Sequence, residues 1–532
     1  MKKSFCMILA LLFCVTLCVR LIPAAFAEWP SEYNQALEEA GYSSHEMSNS
    51  FAEWAFTPVF ENASAAVFES GQNTEPVSIT LPSNTARIET EAFMDCSNMS
   101  SLHIPTSVTS IADWAFAGCN ALVEVYYPGS GAQWDAISIG TGNEPLFDAA
   151  VYFGNGEYRI PVNNRFFPDE VFLSYVSHKI DTDENGVLSD REISAVEFIN
   201  CSGNRDQHVP IQSLKGIELF QNLKTLYCDF DELLSLDVSH NTKLEVMYCP
   251  QNHLTSLDVS HNPNLRVLSC VYNQLDELDV SHNPLLERLY CSGNGFENLD
   301  LTHNSNLHVL YSHFNALTDL DISRNPNLED LYISNNSLSS INLSNNLNLR
   351  GLSVESNRLT SLDVSRNTSL EYLYCGYNQL ASLNVQKCPA LIELDCIANE
   401  ISYLNVGNNR NLQFLFCWRN QLNNMNLQQN TALISVNLSA NKPLTSVTLG
   451  SLQNLEMLWL QNTGLTSVNI QGCPIIVQAY RNGEMYDFGR EGLQRDNGNW
   501  VGYKYGDTLN SNSSSLLDHC QFCVDKGVNV IA

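Results

Sequence analysis

Residues Leu244 to Asn264 read LEVMYCPQNHLTSLDVSHNPN, and this 21-residue unit decides the fold. Twelve copies follow one another between residues 223 and 475. The step between copies is constant except after Leu433, where Lys442-Pro443 adds one residue. Because so short a unit cannot bury its own apolar face, each copy must stack on its neighbours. The repeat therefore predicts a solenoid with a continuous core of leucines.

The unit follows the pattern L-x-x-L-x-C-x-x-N-x-L-x-x-L-D-V-S-x-N, in which cysteine replaces the third leucine of a leucine-rich repeat. The 21-residue step, the cysteine and the recurring L-D-V-S resemble the cysteine-ladder internalins, which are bacterial surface proteins. The resemblance covers roughly half of the chain. It implies a right-handed leucine-rich repeat solenoid, or horseshoe, with a parallel sheet on its concave face.

The copies form an internal alignment, and its cysteine column also contains Ser312, Ile333 and Val354. A column that accepts apolar residues lies in the core. We expect buried free thiols that pack as small hydrophobes. Disulfides between neighbouring turns and binding of a soft metal are the alternatives. The column consists of Cys228, Cys249, Cys270, Cys291, Cys375, Cys396 and Cys417.

The residue before each cysteine points to the opposite face, because neighbouring residues of a strand alternate. In a leucine-rich repeat this is the concave face, and exposed aromatic strips there indicate a binding surface. The alternative is that stacked rings only stabilise the sheet. The predicted partner-binding residues are Tyr227, Tyr248, Tyr290, Tyr311, Tyr332, Tyr374, Phe416 and Trp459, and nearby rings are Phe230, Tyr272, Phe314, Tyr372, Tyr377, Phe414 and Trp418.

Three polar columns complete the repeat. We expect the asparagines at Asn252 and its counterparts to satisfy buried backbone groups. The aspartates at Asp237 and its counterparts should accept hydrogen bonds from turn amides, with cation binding along the column as the alternative. His240, His261, His282 and His303 are expected to be solvated, and a pH-sensitive or metal-binding strip is the second reading.

Residues 181–192, DTDENGVLSDRE, fit the EF-hand calcium loop at every ligand position. Gly186 provides the turn, and Ser189 with Glu192 fits a capping box for the next helix. An acidic turn that caps a helix is the alternative. Since no second complete loop follows, we expect one structural Ca²⁺ site in a helical cap over residues 160–222. The predicted ligands are Asp181, Asp183, Asn185, Val187 (through its carbonyl), Ser189 and Glu192.

A second repeat with a longer step occupies residues 76–155. Ile79-Thr80-Leu81-Pro82 recurs as Leu102-His103-Ile104-Pro105, and the E-A-F-M-D-C beginning at Glu91 recurs as W-A-F-A-G-C from Trp114. This pattern resembles the BspA-like leucine-rich repeat, and the resemblance implies surface adhesion or partner binding. Residues 28–75 carry no pattern that predicts a function.

The ends of the chain predict export. Lys2-Lys3, the apolar run after Phe5 and Ala25-Phe26-Ala27 predict a signal peptide over residues 1–27, with a transmembrane helix as the alternative. No later segment has the length and hydropathy of a membrane span.

The net charge of −31 argues against nucleic acid as a partner. Residues 476–532 are expected to form a C-terminal cap or tail, in which Cys520 and Cys523 form either a disulfide or half of a zinc site.

These features predict a secreted or cell-surface recognition protein without enzymatic activity. The resemblance implies a host or bacterial surface protein as the partner on the concave face, and a glycan that stacks on the same rings is the alternative. An enzyme is the third possibility, but familiar catalytic motifs are absent from the sequence. The concave carboxylates Asp330, Glu355, Glu393 and Asp395 are too scattered to nominate an acid/base pair.

Overall fold

The computed structural model describes residues 75–203, 209–481, 522–525 and 527–532. The predicted signal peptide and most of the segment 28–75 lie outside these ranges. The described residues divide into two compact units, one containing residues 75–168 and 173–193 and the other residues 169–172 and 194 onward. The segment 160–222, which the sequence predicts as one helical cap, is therefore divided between the two units.

The first unit is built on short strands that follow the second sequence repeat. Its main sheet has the order β1-β3-β5-β7-β8-β9, parallel from β1 to β7 and antiparallel at β8 and β9. β2, β4 and β6 form a smaller parallel sheet. The strands are β1 Val77–Thr80, β2 Arg87–Ile88, β3 Met99–His103, β4 Ser110–Ile111, β5 Glu124–Tyr127, β6 Ser138–Ile139, β7 Ala150–Phe153, β8 Tyr158–Pro161 and β9 Val187–Ser189.

Equivalent apolar residues of the first unit's repeats pack into one buried cluster. The rings of Phe93 and Phe116 are stacked within it, with centroids 5.2 Å apart. The helices in and beside this unit are short: α1 Gly131–Asp135, α2 Glu144–Phe147, α3 Glu170–Lys179 and α4 Asp190–Ala195. In the part of the chain that the structure describes, no helix combines the length and apolar character that crossing a membrane requires.

The second unit contains the 21-residue repeats. Its strands and helices are β10 Phe198–Asn200, a 3₁₀ turn Ile217–Leu219, β11 Thr225–Tyr227, β12 Val246–Tyr248, β13 Val267–Ser269, β14 Arg288–Tyr290, β15 Val309–Tyr311, β16 Asp330–Tyr332, β17 Gly351–Ser353, β18 Tyr372–Tyr374, β19 Glu393–Asp395, β20 Phe414–Phe416, β21 Asn424–Asn426, β22 Ser435–Asn437, β23 Ser446–Thr448, β24 Met457–Trp459, β25 Ser467–Asn469, α5 Pro474–Arg481, β26 Phe522–Cys523 and β27 Asn529–Ile531.

A 14-stranded parallel sheet runs through these repeats in the order β10 to β20, then β22, β24 and β26. Neighbouring strands keep the register of the sequence repeat, so that Leu226 lies beside Met247 and Met247 beside Leu268. These three side chains are 0% exposed. The predicted parallel-strand solenoid of leucine-rich repeats is confirmed.

Both ends of this sheet receive a strand from outside the twelve copies. β10 pairs with β11 of the first copy, and β26 pairs with β24 of the last. Near the C-terminus, the carboxylate of Asp525 accepts hydrogen bonds from the N–H groups of Asn462 at 2.9 Å and Thr463 at 3.1 Å. Part of the predicted C-terminal cap therefore continues the solenoid. Cys523 is disulfide-bonded, while Cys520 lies outside the described residues.

The cysteine column lies in the core as predicted. Cys249, for example, is 0% exposed, whereas its neighbour Tyr248 on the opposite face is partly exposed. All seven cysteines of the column are free thiols. The predicted directions of sulfur and phenol are thus confirmed.

Asparagines connect consecutive turns through two ladders. In the predicted ladder, Asn252 donates to the carbonyl of Cys228 at 2.8 Å and accepts the N–H of Leu233 at 3.1 Å. The second ladder was not predicted, although its asparagine recurs in the sequence pattern. In it, Asn304 donates to the carbonyls of Val280 at 3.0 Å and Asn283 at 2.9 Å. Its members are Asn241, Asn262, Asn283, Asn304, Asn325, Asn346, Asn367, Asn409 and Asn430, all 0% exposed.

The aspartate column forms local turns, as the sequence predicts. Asp258 accepts the N–H of Ser260 at 2.8 Å, and the other aspartates of the column make the same contact. Hydrogen bonds from the side chain and the N–H of Ser260 hold the pKa of Asp258 below its ordinary value. Like charges on successive turns are tolerated because each carboxylate is already bound by its own turn.

Candidate functional site

The candidate calcium loop, residues 181–192, follows α3 and extends into the first turn of α4, which contains Glu192. One carboxylate oxygen each from Asp181, Asp183 and Glu192 lies within 4.8 Å of the other two. Asp181 and Glu192 are 3% and 9% exposed, whereas Asp183 is exposed. Ca²⁺ is bound by several carboxylate and carbonyl oxygens in a flexible coordination geometry, and this donor set therefore fits the ion.

Hydrogen bonds within the loop hold the carboxylates in place. Asp181 accepts the N–H groups of Asn185 at 3.2 Å and Gly186 at 2.9 Å. Gly186 has a φ of +79°, which a glycine adopts without strain. Burial would raise the pKa of Glu192, but donors from Ser189 and Thr182 outweigh it and lower the pKa to about 2. Glu192 is therefore held in its ionised form by the loop itself.

The other three predicted ligands are Asn185, Ser189 and Val187, and the side chains of the first two make hydrogen bonds within the loop. The side-chain oxygen of Asn185 accepts the N–H of Val187 at 2.8 Å, and the hydroxyl of Ser189 donates to Glu192 at 2.8 Å. Glu192 in turn accepts the Ser189 N–H at 3.0 Å, and its own N–H donates to the Ser189 hydroxyl, as in a capping box. Val187 begins β9 and would contribute its carbonyl.

The side of the 14-stranded sheet that carries Tyr248, which we call the tyrosine face, contains the predicted partner-binding residues. Their rings pack on one another: the centroids of Tyr227 and Tyr248 are 5.0 Å apart, and Tyr311 lies 5.2 Å from Tyr290 and 4.7 Å from Tyr332. These five rings, Phe416 and Trp459 are partly exposed. The column is thus both a cross-strand stack and an accessible surface.

Tyr374 differs from the other predicted partner-binding residues. Its side chain is 3% exposed, and its hydroxyl donates to a carboxylate oxygen of Glu393 at 3.3 Å. In this conformation its ring offers a partner almost no surface. The alternation rule places the side chain on the correct face, but it carries no information about what covers it.

Rings more exposed than the tyrosine column lie three residues further along the chain in three of the copies. Tyr272, Phe314 and Tyr377 are 52%, 55% and 40% exposed, and we call them the rim aromatics. Each has a φ of 53°, in the left-handed region that bulky residues rarely occupy. The position carries a positive φ in most copies, so the backbone turn is a property of the fold. The choice of large rings there is a property of these copies.

Three carboxylates come together on the tyrosine face, contrary to the expectation that they are scattered. Glu393 and Asp395 are 4% and 8% exposed. A Cβ placed on Gly376 would lie 3.1 Å from an oxygen of Asp395 and 3.4 Å from one of Glu355. Burial and the charge of Glu393 raise the pKa of Glu355 to about 7. The alignment of copies contains a signal for this contact, because Glu355 lies two turns before Glu393 and Asp395, and the turn between them has Gly376, without a side chain, at the position of Glu355.

Comparisons with known proteins agree with this architecture. Residues 36–136 match the family model of the BspA type leucine rich repeat region. The match begins before the predicted module 76–155 and ends within it. No curated protein matches the chain. Neither this family model nor the two internalin structures compared below indicate an enzyme family.

Two solved structures are similar to the chain. The functional domain of InlJ from Listeria monocytogenes, which includes a cysteine ladder, is 29% identical with a TM-score of 0.57, over 60% of this chain and 69% of that one. The internalin InlF from Listeria monocytogenes is 22% identical with a TM-score of 0.50, over 57% of this chain and 92% of that one. The chain thus contains a leucine-rich repeat solenoid that is similar to the cysteine-ladder domain of InlJ, and a separate region, residues 36–136, that matches the BspA-type repeat.

Proposed function

We propose that this chain is an exported, non-enzymatic adhesion protein that binds a protein partner on the tyrosine face. The observation that carries the proposal is the exposure of the rim aromatics Tyr272 and Phe314, 52% and 55%, beside a stack of partly exposed tyrosines. Rings at the surface contribute nothing to the leucine core, and aromatic residues are enriched where partners dock.

The partner that we favour is a protein on a host or bacterial surface. Leucine-rich repeat proteins of the BspA and internalin types are typically secreted or exposed on the cell surface. The structural likeness to InlJ supports such a location for this chain. The predicted signal peptide points the same way.

We also propose that the loop 181–192 binds one Ca²⁺ as a structural ion. Asp181, Asp183, Asn185 and Glu192 would supply side-chain oxygens, Val187 its carbonyl, and Ser189 would act through water. The support is the convergence of three carboxylates within 4.8 Å. The ion would neutralise charge that the loop otherwise holds only through hydrogen bonds.

Binding of the labelled full chain to intact host and bacterial cells tests the adhesion proposal. The double variant Tyr272→Ala/Phe314→Ala should lose most of the binding and keep its stability, because both side chains are exposed. Tyr403→Ala is the matched control, since Tyr403 is 60% exposed and lies outside the tyrosine face and its rim. Equal binding by the double variant and the control would reject this face as the docking site.

Pretreatment of the cells separates the two classes of partner. Protease treatment should abolish binding if the partner is a protein, whereas glycosidase treatment should leave it unchanged. The reverse result would favour the alternative function, in which the same rings stack on a glycan.

A further inference from the structure

The strand inside the candidate calcium loop pairs with a strand from outside it. β9 is antiparallel to β8, with Leu188 beside Ile160, and these side chains are 0% and 1% exposed. EF-hand loops usually work in pairs, but the sequence contains no second complete loop. The partner strand β8 belongs instead to the sheet of the first unit, where its other edge pairs with β7.

The register of this pair sets the direction of the Val187 carbonyl. The N–H of Val162 donates to the carbonyl of Gly186 at 2.9 Å. Hydrogen-bonded and non-hydrogen-bonded residue pairs alternate along antiparallel strands. Ile160 and Leu188 therefore occupy a hydrogen-bonded pair, and Pro161 and Val187 a non-hydrogen-bonded one. It follows that the Val187 carbonyl points away from β8.

Pro161 is consistent with this register. Proline has no N–H and is tolerated in a strand only where no ladder hydrogen bond is lost. Its position opposite Val187 is one where the ladder with β9 needs no donor. The carbonyl that position 7 of an EF-hand loop offers to the ion thus stays free of β8.

We propose that β8 takes the place of the missing second EF-hand loop and presets the calcium loop for binding. It holds the backbone from Gly186 to Ser189, the stretch that contains the turn and two of the predicted ligands. Ile160 and Val162 are positioning residues, because they act through the backbone of the loop and touch no ion. This inference rests on the calcium site proposed above. Because coupling is reciprocal, bound calcium must in turn stabilise the hydrogen bonds between β8 and β9.

Calorimetric titration of the full chain with CaCl₂ tests the proposal. Ile160→Pro removes the donor from the pair with Leu188 and should weaken calcium binding about tenfold, the equivalent of one lost hydrogen bond. Ile160→Val keeps both the N–H and the apolar side chain, and it should bind calcium within about twofold of the natural chain.

Hydrogen exchange of the natural chain supplies a readout that does not depend on how Ile160→Pro folds. Calcium should slow exchange of the Val162 and Leu188 amides, and Glu192→Gln should abolish the slowing. If the natural chain binds calcium while these amides are unaffected, the role of β8 is wrong and the calcium site stands. If the natural chain binds no calcium, both proposals are wrong.

Discussion

The sulfur atoms of Cys396 and Cys417, on adjacent turns of the solenoid, lie 3.4 Å apart as a thiol–thiol contact. Both residues are 0% exposed, and neither is in a disulfide. Burial, together with the neighbouring Cys396, raises the pKa of the Cys417 thiol well above its ordinary value. The cysteine ladder is therefore a stack of buried side chains that pack as small apolar groups.

The ladder should resist alkylation in the native state, because all seven thiols are 0% exposed and the reagent cannot reach them. We expect iodoacetamide at pH 8 to modify these cysteines about 100-fold more slowly than in denaturant, as measured by peptide mass spectrometry. Tyr403→Cys places a thiol at an exposed position and serves as the fast reference. Modification of the ladder at the reference rate would contradict the buried assignment.

The second asparagine ladder should contribute more stability than asparagines on the surface. Asn304→Ala leaves the carbonyls of Val280 and Asn283 without their donor inside the core, and we expect a loss of about 2–4 kcal/mol in the free energy of unfolding. Asn306 is exposed and donates to the carbonyl of Pro284 at 3.1 Å. Asn306→Ala, measured by the same urea unfolding, should cost less than about 0.5 kcal/mol. Similar losses for the two variants would mean that the ladder is not a special source of stability.

Calcium should raise the melting temperature of the chain, because an ion that binds only the folded loop stabilises it by mass action. Glu192→Gln should abolish the rise, whereas Glu184→Gln removes the same charge from an exposed position that supplies no ligand. Differential scanning calorimetry with calcium and with chelator measures both. If calcium still raises the melting temperature of Glu192→Gln, this loop is not the site through which calcium stabilises the chain.

The sequence predicts the parts of this molecule that the repeat period controls. A constant 21-residue step places Leu226, Met247 and Leu268 in register, and strand alternation then separates Cys249 from Tyr248. The asparagine that donates to Cys228 could be predicted because a buried backbone carbonyl needs a partner. These inferences require only local geometry and the need to satisfy buried polar groups.

Features that depend on contacts between columns were not predictable in the same way. Tyr374 lies on the expected face but is covered, because Glu393 on the next turn accepts its hydroxyl. The pairing of Leu188 with Ile160 joins segments whose patterns belong to different motifs. Neither contact follows from a single column, since each depends on which side chain fills the neighbouring position.

The carboxylates on the tyrosine face should make stability depend on pH above the usual acidic range. Burial and the charge of Glu393 raise the pKa of Glu355 to about 7, whereas Ser353 lowers it only in part. In the unfolded chain the pKa of a glutamate is about 4.3. The folded state thus binds the proton more tightly, and its stabilisation is complete below the unfolded pKa and is lost as the pH rises through 7.

We therefore expect Glu355→Gln to be more stable than the natural chain at pH 8, by about 2 kcal/mol, and the difference to be clearly smaller at pH 5, which is closer to the unfolded pKa. Urea unfolding at the two pH values measures the difference. His313, whose burial lowers its pKa to about 4, has an opposite dependence in both proteins, so only the difference between them reports Glu355. Burial also raises the pKa of Asp395, and Asp395→Asn should act in the same direction. A difference that does not change between pH 5 and 8 would show that Glu355 is ionised and solvated in the folded protein.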